Sequence, residues 1–225
     1  MSKINETLVN ELFDAGAHVG FSKTRRHPSI KPFIFDSRQK KDIINLEKTS
    51  TQIEAVEAFL KEFKGTDKQV LFVGTKPEAK GIVRAAAELI DMPFVTERWL
   101  GGTLTNSREI RKRVERLVTL SEQSEKGELV AATKKEKLML EREIERLEKK
   151  FGGLRAMKKA PAVLVVVDPR KEYIAVEEAR QMNIPVIALA STDCDVSIIN
   201  YPIVANDTNV PAISFVINKI TDAIK

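Results

Sequence analysis

One cysteine, Cys194, in 225 residues excludes a disulfide within the chain. With only two histidines, His18 and His27, there are too few Cys and His residues for an ordinary zinc site, and no cofactor is expected. Neither histidine has a nucleophile or an orienting acid nearby in sequence, so both read as structural, and Cys194 reads as a small buried residue. Aromatic residues make up 6% of the chain, with a single tryptophan, Trp99. No apolar run approaches the ~20 residues that a membrane helix requires. The opening Met1-Ser2-Lys3-Ile4-Asn5-Glu6 has no apolar signal-peptide core, so a cytoplasmic location is expected, with no membrane partner. No repeat of fixed period is visible.

Acidic residues are scarce in one stretch. The chain carries a net charge of +5, and from Gly20 to Lys41 there are seven basic residues against one acid, Asp36. Solvated surfaces usually mix signs, so this imbalance points to a polyanion, most often nucleic acid. Lys23, Thr24, Arg25, Arg26, Lys31 and Arg38 offer ammonium, hydroxyl and guanidinium donors to phosphate oxygens. Pro28 and Pro32 argue for an extended arm over 20–41 with a short strand at Phe33-Ile34-Phe35. Phe21, Phe33 and Phe35 read as anchors of that arm rather than as base-stacking platforms.

Beyond the arm, short apolar runs alternate with helical patterns. Strands are expected at Val70–Val73, Pro93–Thr96, Ala162–Val167, Val186–Leu189 and Tyr201–Val204. Helices are expected near 6–15, 48–63, 77–90, 172–182 and 212–224. Continuous apolar strands between helices imply an α/β fold, a parallel sheet covered by helices on both faces. The strand ends at Gly74-Thr75-Lys76, Asp168-Pro169-Arg170-Lys171 and Ser191-Thr192-Asp193 are where such sheets hold ligands. A doubly wound nucleotide binder or enzyme is therefore the alternative reading. It is weakened because Gly74-Thr75-Lys76-Pro77-Glu78-Ala79-Lys80 lacks the second glycine of a phosphate loop, and no Gly-x-Gly-x-x-Gly follows any strand.

Residues 106–154 break the alternation. Ile110, Val114 and Leu117, then Leu140, Ile144, Leu147, Phe151 and Leu154, lie four and three apart in highly charged surroundings. This is the pattern of an antiparallel coiled-coil hairpin inserted between 1–105 and 155–225. Asn106 reads as the N-cap of its first helix, Gly127 as its tip, and Thr133 with Glu136 as a capping box. Arg108, Arg111, Lys112, Arg113 and Arg116, only partly offset by Glu109 and Glu115, make a second basic cluster that opens the insertion, with Arg108, Arg111 and Lys112 the candidate RNA contacts. Arg98-Trp99-Leu100-Gly101-Gly102-Thr103-Leu104-Thr105-Asn106 is the joint, with Trp99 a packing anchor and Arg98 a phosphate contact.

Several of these stretches together resemble a known family. They are Ala15-Gly16-Ala17-His18-Val19-Gly20, Thr24-Arg25-Arg26, Lys31-Pro32-Phe33-Ile34-Phe35, Ile44-Asn45-Leu46-Glu47-Lys48-Thr49, Leu71-Phe72-Val73-Gly74-Thr75-Lys76, the Arg98–Asn106 joint, Val167-Asp168-Pro169-Arg170-Lys171-Glu172 and Ile184-Pro185-Val186-Ile187-Ala188. In this order they resemble the bacterial form of the universal S-two family of the small ribosomal subunit, over nearly the whole chain. The resemblance implies a flavodoxin-like sheet with a protruding hairpin and a non-catalytic, structural role in translation. It implies ribosomal RNA as a partner, together with neighbouring ribosomal proteins that include the large OB-fold protein that captures messenger RNA. No small-molecule substrate is implied. The chain departs from the family's usual pattern at His27-Pro28, at Ser191–Val196 and at Tyr201–Asp207.

Overall fold

The structure, a computed structural model, describes residues 5–126 and 134–225. Chain order is α1 (Glu6–Asp14), β1 (Val19–Ser22), β2 (Ile34–Arg38), β3 (Lys41–Ile44), α2 (Leu46–Lys61), β4 (Val70–Val73), α3 (Pro77–Leu89), β5 (Phe94–Val95), α4 (Ser107–Glu125), α5 (Lys134–Phe151), β6 (Val163–Val167), α6 (Tyr173–Gln181), β7 (Val186–Ala190), β8 (Tyr201–Val204) and α7 (Val210–Ile224). Asn45 starts α2 by accepting hydrogen bonds from the backbone N–H groups of Glu47 and Lys48 at 3.0 and 3.3 Å. Pro77 occupies the first turn of α3, where a missing N–H costs nothing.

The large sheet runs β5-β4-β6-β7-β8, all parallel. Helices join β4 to β5, β5 to β6 and β6 to β7, whereas β7 reaches β8 through residues 191–200 without a helix. The order reverses between β4 and β6, the flavodoxin-like winding. Period-two alternation divides its side chains between two cores. Phe72, Val163, Val165, Val167, Ile187, Leu189 and Ile203 face α1, α2, α3 and α7. Leu71, Val73, Leu164, Val166, Val186 and Ala188 face α6 and the inner ends of α4 and α5, whose Ile110, Leu117, Leu120, Leu147 and Phe151 join the same core. The hairpin is thus rooted in the sheet's apolar layer. At that root a Cβ on Gly153 would lie 2.3 Å from the Phe94 carbonyl oxygen, so only glycine fits.

The expected extended arm is a folded element. Residues 19–44 form a small antiparallel sheet, β1-β3-β2, with 3-10 turns at Lys23–Arg25 and Pro28–Phe33. Pro28 sits at the start of its turn, where its fixed φ suits the geometry, so the prolines shape the chain without unfolding it. Ile30 and Ile44, with half-buried Phe33 and Ile34, pack on Ala190, Cys194, Val196 and Val204. The small sheet is thereby seated over the carboxyl ends of β7 and β8. Phe33 is an anchor as expected, whereas Phe35 is 72% exposed and anchors nothing.

At the joint, Asn106 precedes α4, but its side chain caps nothing. The expected tip at Gly127 and the Thr133 half of the capping box lie outside the described residues.

Candidate nucleic-acid interface

Three strand-end loops and the small sheet meet at one edge of the large sheet. Thr192, after β7, is the meeting point. Its Oγ1 accepts the Phe21 N–H at 2.9 Å, and its carbonyl accepts the His27 N–H at 2.9 Å. A Cβ on Gly20 would lie 2.5 Å from Thr192 Cγ2, so the two sheets approach closely only because that residue is glycine. Beside it, Asp193 Oδ2 accepts from Arg25 Nη2 at 3.1 Å and from Arg170 Nη1 at 2.7 Å. Arg25 also lies 4.4 Å above the Phe21 ring. One carboxylate thus aligns two guanidinium groups from distant segments. Their side chains remain 54% and 57% exposed, with donors free on the outer side.

Next to Arg170, Lys171 donates to the Thr75 carbonyl at 3.2 Å. Thr75 and Lys171 line a recess together with Arg98, Lys80, Tyr173 and Ile174. Lys23, Thr24, Lys31 and Arg38 are exposed on the small sheet, where Arg38 pairs with Asp36 at 3.1 Å. Arg108 is exposed on the first turn of α4. Arg111 donates to the Lys158 carbonyl at 2.9 Å, and Lys112 pairs with Glu109 at 2.7 Å. Arg170 and Lys171 were not among the residues the sequence singled out for phosphate. The signal was present in Asp168-Pro169-Arg170-Lys171, but a strand-end loop suggests a small ligand before it suggests a polymer.

Arg26 behaves differently from its neighbour. It grips the buried Asp42 with both Nη2 and Nε, the latter at 2.6 Å, and donates to Ser37 Oγ at 2.7 Å. Only 18% of its side chain is exposed. The hydrogen bond from Arg26 holds the Asp42 carboxyl below the usual carboxylate range, against the cost of its burial. Arg26 ties β3 to the turn that presents Arg25.

At the carboxyl ends of β4 and β6, where a doubly wound sheet would take a nucleotide, buried charged side chains are paired with one another. Lys76 Nζ lies 2.7 Å from both Asp168 Oδ2 and Asp207 Oδ2 beneath the small sheet. Burial pushes the Asp207 carboxyl up to about 6, against the pull of Lys76. Burial also pushes the Cys194 thiol up, and Asp168 adds to it. A phosphate brought here would meet two buried carboxylates, so the nucleotide-binding alternative fails on charge as well as on motif.

The joint is organised by a residue that the sequence did not reveal. Glu178, buried on α6, accepts from Trp99 Nε1 at 3.0 Å and from the N–H groups of Gly102, Leu104 and Thr105 at 2.7, 2.9 and 3.1 Å. The Thr105 hydroxyl adds a contact at 3.2 Å. Burial alone would raise this carboxyl, but the Trp99 and backbone donors outweigh it and hold it below its ordinary value. Trp99 is buried, as expected of a packing anchor.

Comparison with known proteins agrees with this architecture. Residues 12–225 match the family described as ribosomal protein S2. Over 216 residues, 96% of this chain, the sequence is 44% identical to the small ribosomal subunit protein uS2 of Petrotoga mobilis, covering 75% of that protein. It is 43% identical to the uS2 of Nocardia farcinica and 42% identical to that of Coprothermobacter proteolyticus, over 76% and 81% of their lengths. The chain belongs to the ribosomal protein S2 family.

Proposed function

We propose that this chain holds ribosomal RNA against the carboxyl-end edge of its large sheet. It is a structural constituent of the small ribosomal subunit, working in the cytoplasmic ribosome, and is not an enzyme. Its partners are ribosomal RNA and other ribosomal proteins. The observation that carries the RNA face is the convergence of Arg25 and Arg170 on Asp193, which fixes two exposed guanidinium groups side by side. Lys23, Thr24, Lys31, Arg38, Arg98 and Lys171 extend the face, whereas Arg108, Arg111 and Lys112 form a separate candidate contact at the hairpin base, where Arg111 binds the Lys158 carbonyl ahead of β6. Arg26 supports the face from behind through Asp42.

Residues 106–154 act in this reading as an appendage of the α/β unit made by 1–105 and 155–225. Leu138 and Met139 on α5 are exposed. They offer an apolar surface to a neighbouring protein, for which the OB-fold messenger-RNA-capturing protein is our candidate.

Rebinding to small subunits stripped of this protein tests the RNA face. Arg25→Ala combined with Arg170→Ala should lose occupancy in salt washes that the wild-type protein survives. Equal retention of the double variant and the wild type would overturn the assignment. Changing Leu138 and Met139 to Glu should release the neighbouring protein and leave the chain bound, and undiminished retention of that neighbour would remove the hairpin from the account.

A further inference from the structure

On the RNA face lies a recess that phosphate binding alone does not explain. Thr75, after β4, and Lys171, Tyr173 and Ile174, around the first turn of α6, line it with Arg98 and Trp99, and it encloses about 430 Å³. Ligand pockets ordinarily hold about 300–1,000 Å³. Tyr173 is 63% exposed and Ile174 37%. Among the described residues no ring stacks on Tyr173. The walls are held in place. Buried Glu172 accepts from the Thr75 hydroxyl, which ties the start of α6 to the end of β4. Glu178 holds Trp99 by its Nε1 at 3.0 Å. A preset wall loses little freedom when something binds it. Cations frame the ring, with Arg98 and Lys171 exposed at the rim and Lys80 paired with Glu97 at 2.9 Å. Among the described residues the one acid lining the recess is Glu172, which is turned to Thr75.

We infer that this recess takes one unpaired base of the bound RNA, stacked on Tyr173, with the flanking phosphates on Lys171 and Arg98. The inference rests on the RNA face proposed above and adds to it a contact of a different kind. An unpaired nucleotide carries an apolar π face beside a charged backbone. An aromatic ring between cations matches both parts. A protein segment seated here would need acids of its own opposite Arg98 and Lys171, whereas RNA brings a phosphate with every nucleotide. Bases paired within an A-form helix show no free face, so the base comes from a loop, a bulge or an end. Every base has a π face, so the recess selects an unstacked base and not a particular one. Arg25 and Arg170 hold the backbone, and Tyr173 fixes where along it the chain sits.

Binding of the full chain to small subunits lacking it, at several salt concentrations, separates this contact from the phosphate contacts. Tyr173→Ala should weaken binding about 5- to 150-fold, the effect of removing one base stack. The slope of log affinity against log salt should stay unchanged, because a neutral ring releases no counterions. Tyr173→Phe keeps the ring and should bind like the wild type. Circular dichroism establishes that both variants are folded. Ultraviolet irradiation of subunits carrying the wild-type chain should cross-link a nucleotide to the peptide that contains Tyr173. Unchanged affinity of folded Tyr173→Ala would overturn the base site. If Arg25→Ala with Arg170→Ala still weakens binding and lowers the slope, only the base site falls and the RNA face stands. If that double variant is also unchanged, the face fails and the recess with it. Weakened Tyr173→Ala binding with loss of a neighbouring ribosomal protein and no nucleotide cross-link would likewise overturn the base site, because the recess would then be a protein contact.

Discussion

Replacing Glu178 with alanine is the sharpest test of how the hairpin is aimed. The carboxylate collects four N–H donors and one hydroxyl from the Trp99–Thr105 loop. Two of those contacts, to Trp99 Nε1 and the Leu104 N–H, are buried, so water cannot replace the lost acceptor there. At about 1–3 kcal/mol for each buried donor left unsatisfied, the variant should lose about 2–6 kcal/mol. The remaining donors are nearer the surface and rehydrate cheaply. Urea unfolding followed by Trp99 fluorescence measures the loss and reports the loop directly. Glu178→Gln keeps one acceptor oxygen and should fall between wild type and alanine. The pH dependence has a definite sign. The folded carboxyl lies below its unfolded value of about 4.3, so its contribution is present above that pH and is lost as pH falls through the folded value. Glu178→Gln should remove this acid-limb dependence. An alanine variant within about 0.5 kcal/mol of wild type, the range of ordinary surface substitutions, would refute this reading of the joint.

Other outcomes follow from the same geometry. Arg26→Ala strands a buried Asp42 and should cost about 3 kcal/mol in thermal or urea unfolding, and Arg26→Lys should restore little because it lacks the two-pronged grip. Arg25→Ala, by contrast, should leave stability almost unchanged, since its ion pair is half exposed. Gly20→Ala drives a methyl group into Thr192 and should cost about 1–3 kcal/mol, relieved by a second change of Thr192 to Ser, which removes the clashing methyl. Gly153→Ala meets the Phe94 backbone carbonyl as well as its ring, so a substitution that trims Phe94 should not rescue its loss of stability.

The large sheet was legible because its strands are continuous apolar runs, such as Val163–Val167, whose hydrophobicity is needed on both faces. The helices α4 and α5 were legible through their four-three spacing. The small sheet was not. Its strand Lys41-Asp42-Ile43-Ile44 is half polar, and Asp42 is buried only because Arg26 lies across it. Pro28 and Pro32 carry the same signal whether they break a chain or shape a 3-10 turn. The basic residues of 20–41 stand out in the sequence as a run with a single acid. Which of them faces solvent depends on acids far away in sequence, with Asp193 presenting Arg25 outward and Asp42 drawing Arg26 inward. Glu178 was invisible for the same reason. A glutamate on a surface-type helix becomes a hub only when a distant loop closes over it.

The central claim is that the edge carrying Arg25 and Arg170 meets RNA phosphates. Binding of the chain to small subunits lacking it, measured across a range of salt concentrations, tests this most directly. Each phosphate contact releases condensed counterions, so every contacting cation removed should flatten the slope of log affinity against log salt by about one. Arg25→Ala with Arg170→Ala should therefore weaken binding and lower that slope by about two, measured on a double variant that circular dichroism shows to be folded. An unchanged affinity and an unchanged slope in the folded double variant would contradict the account.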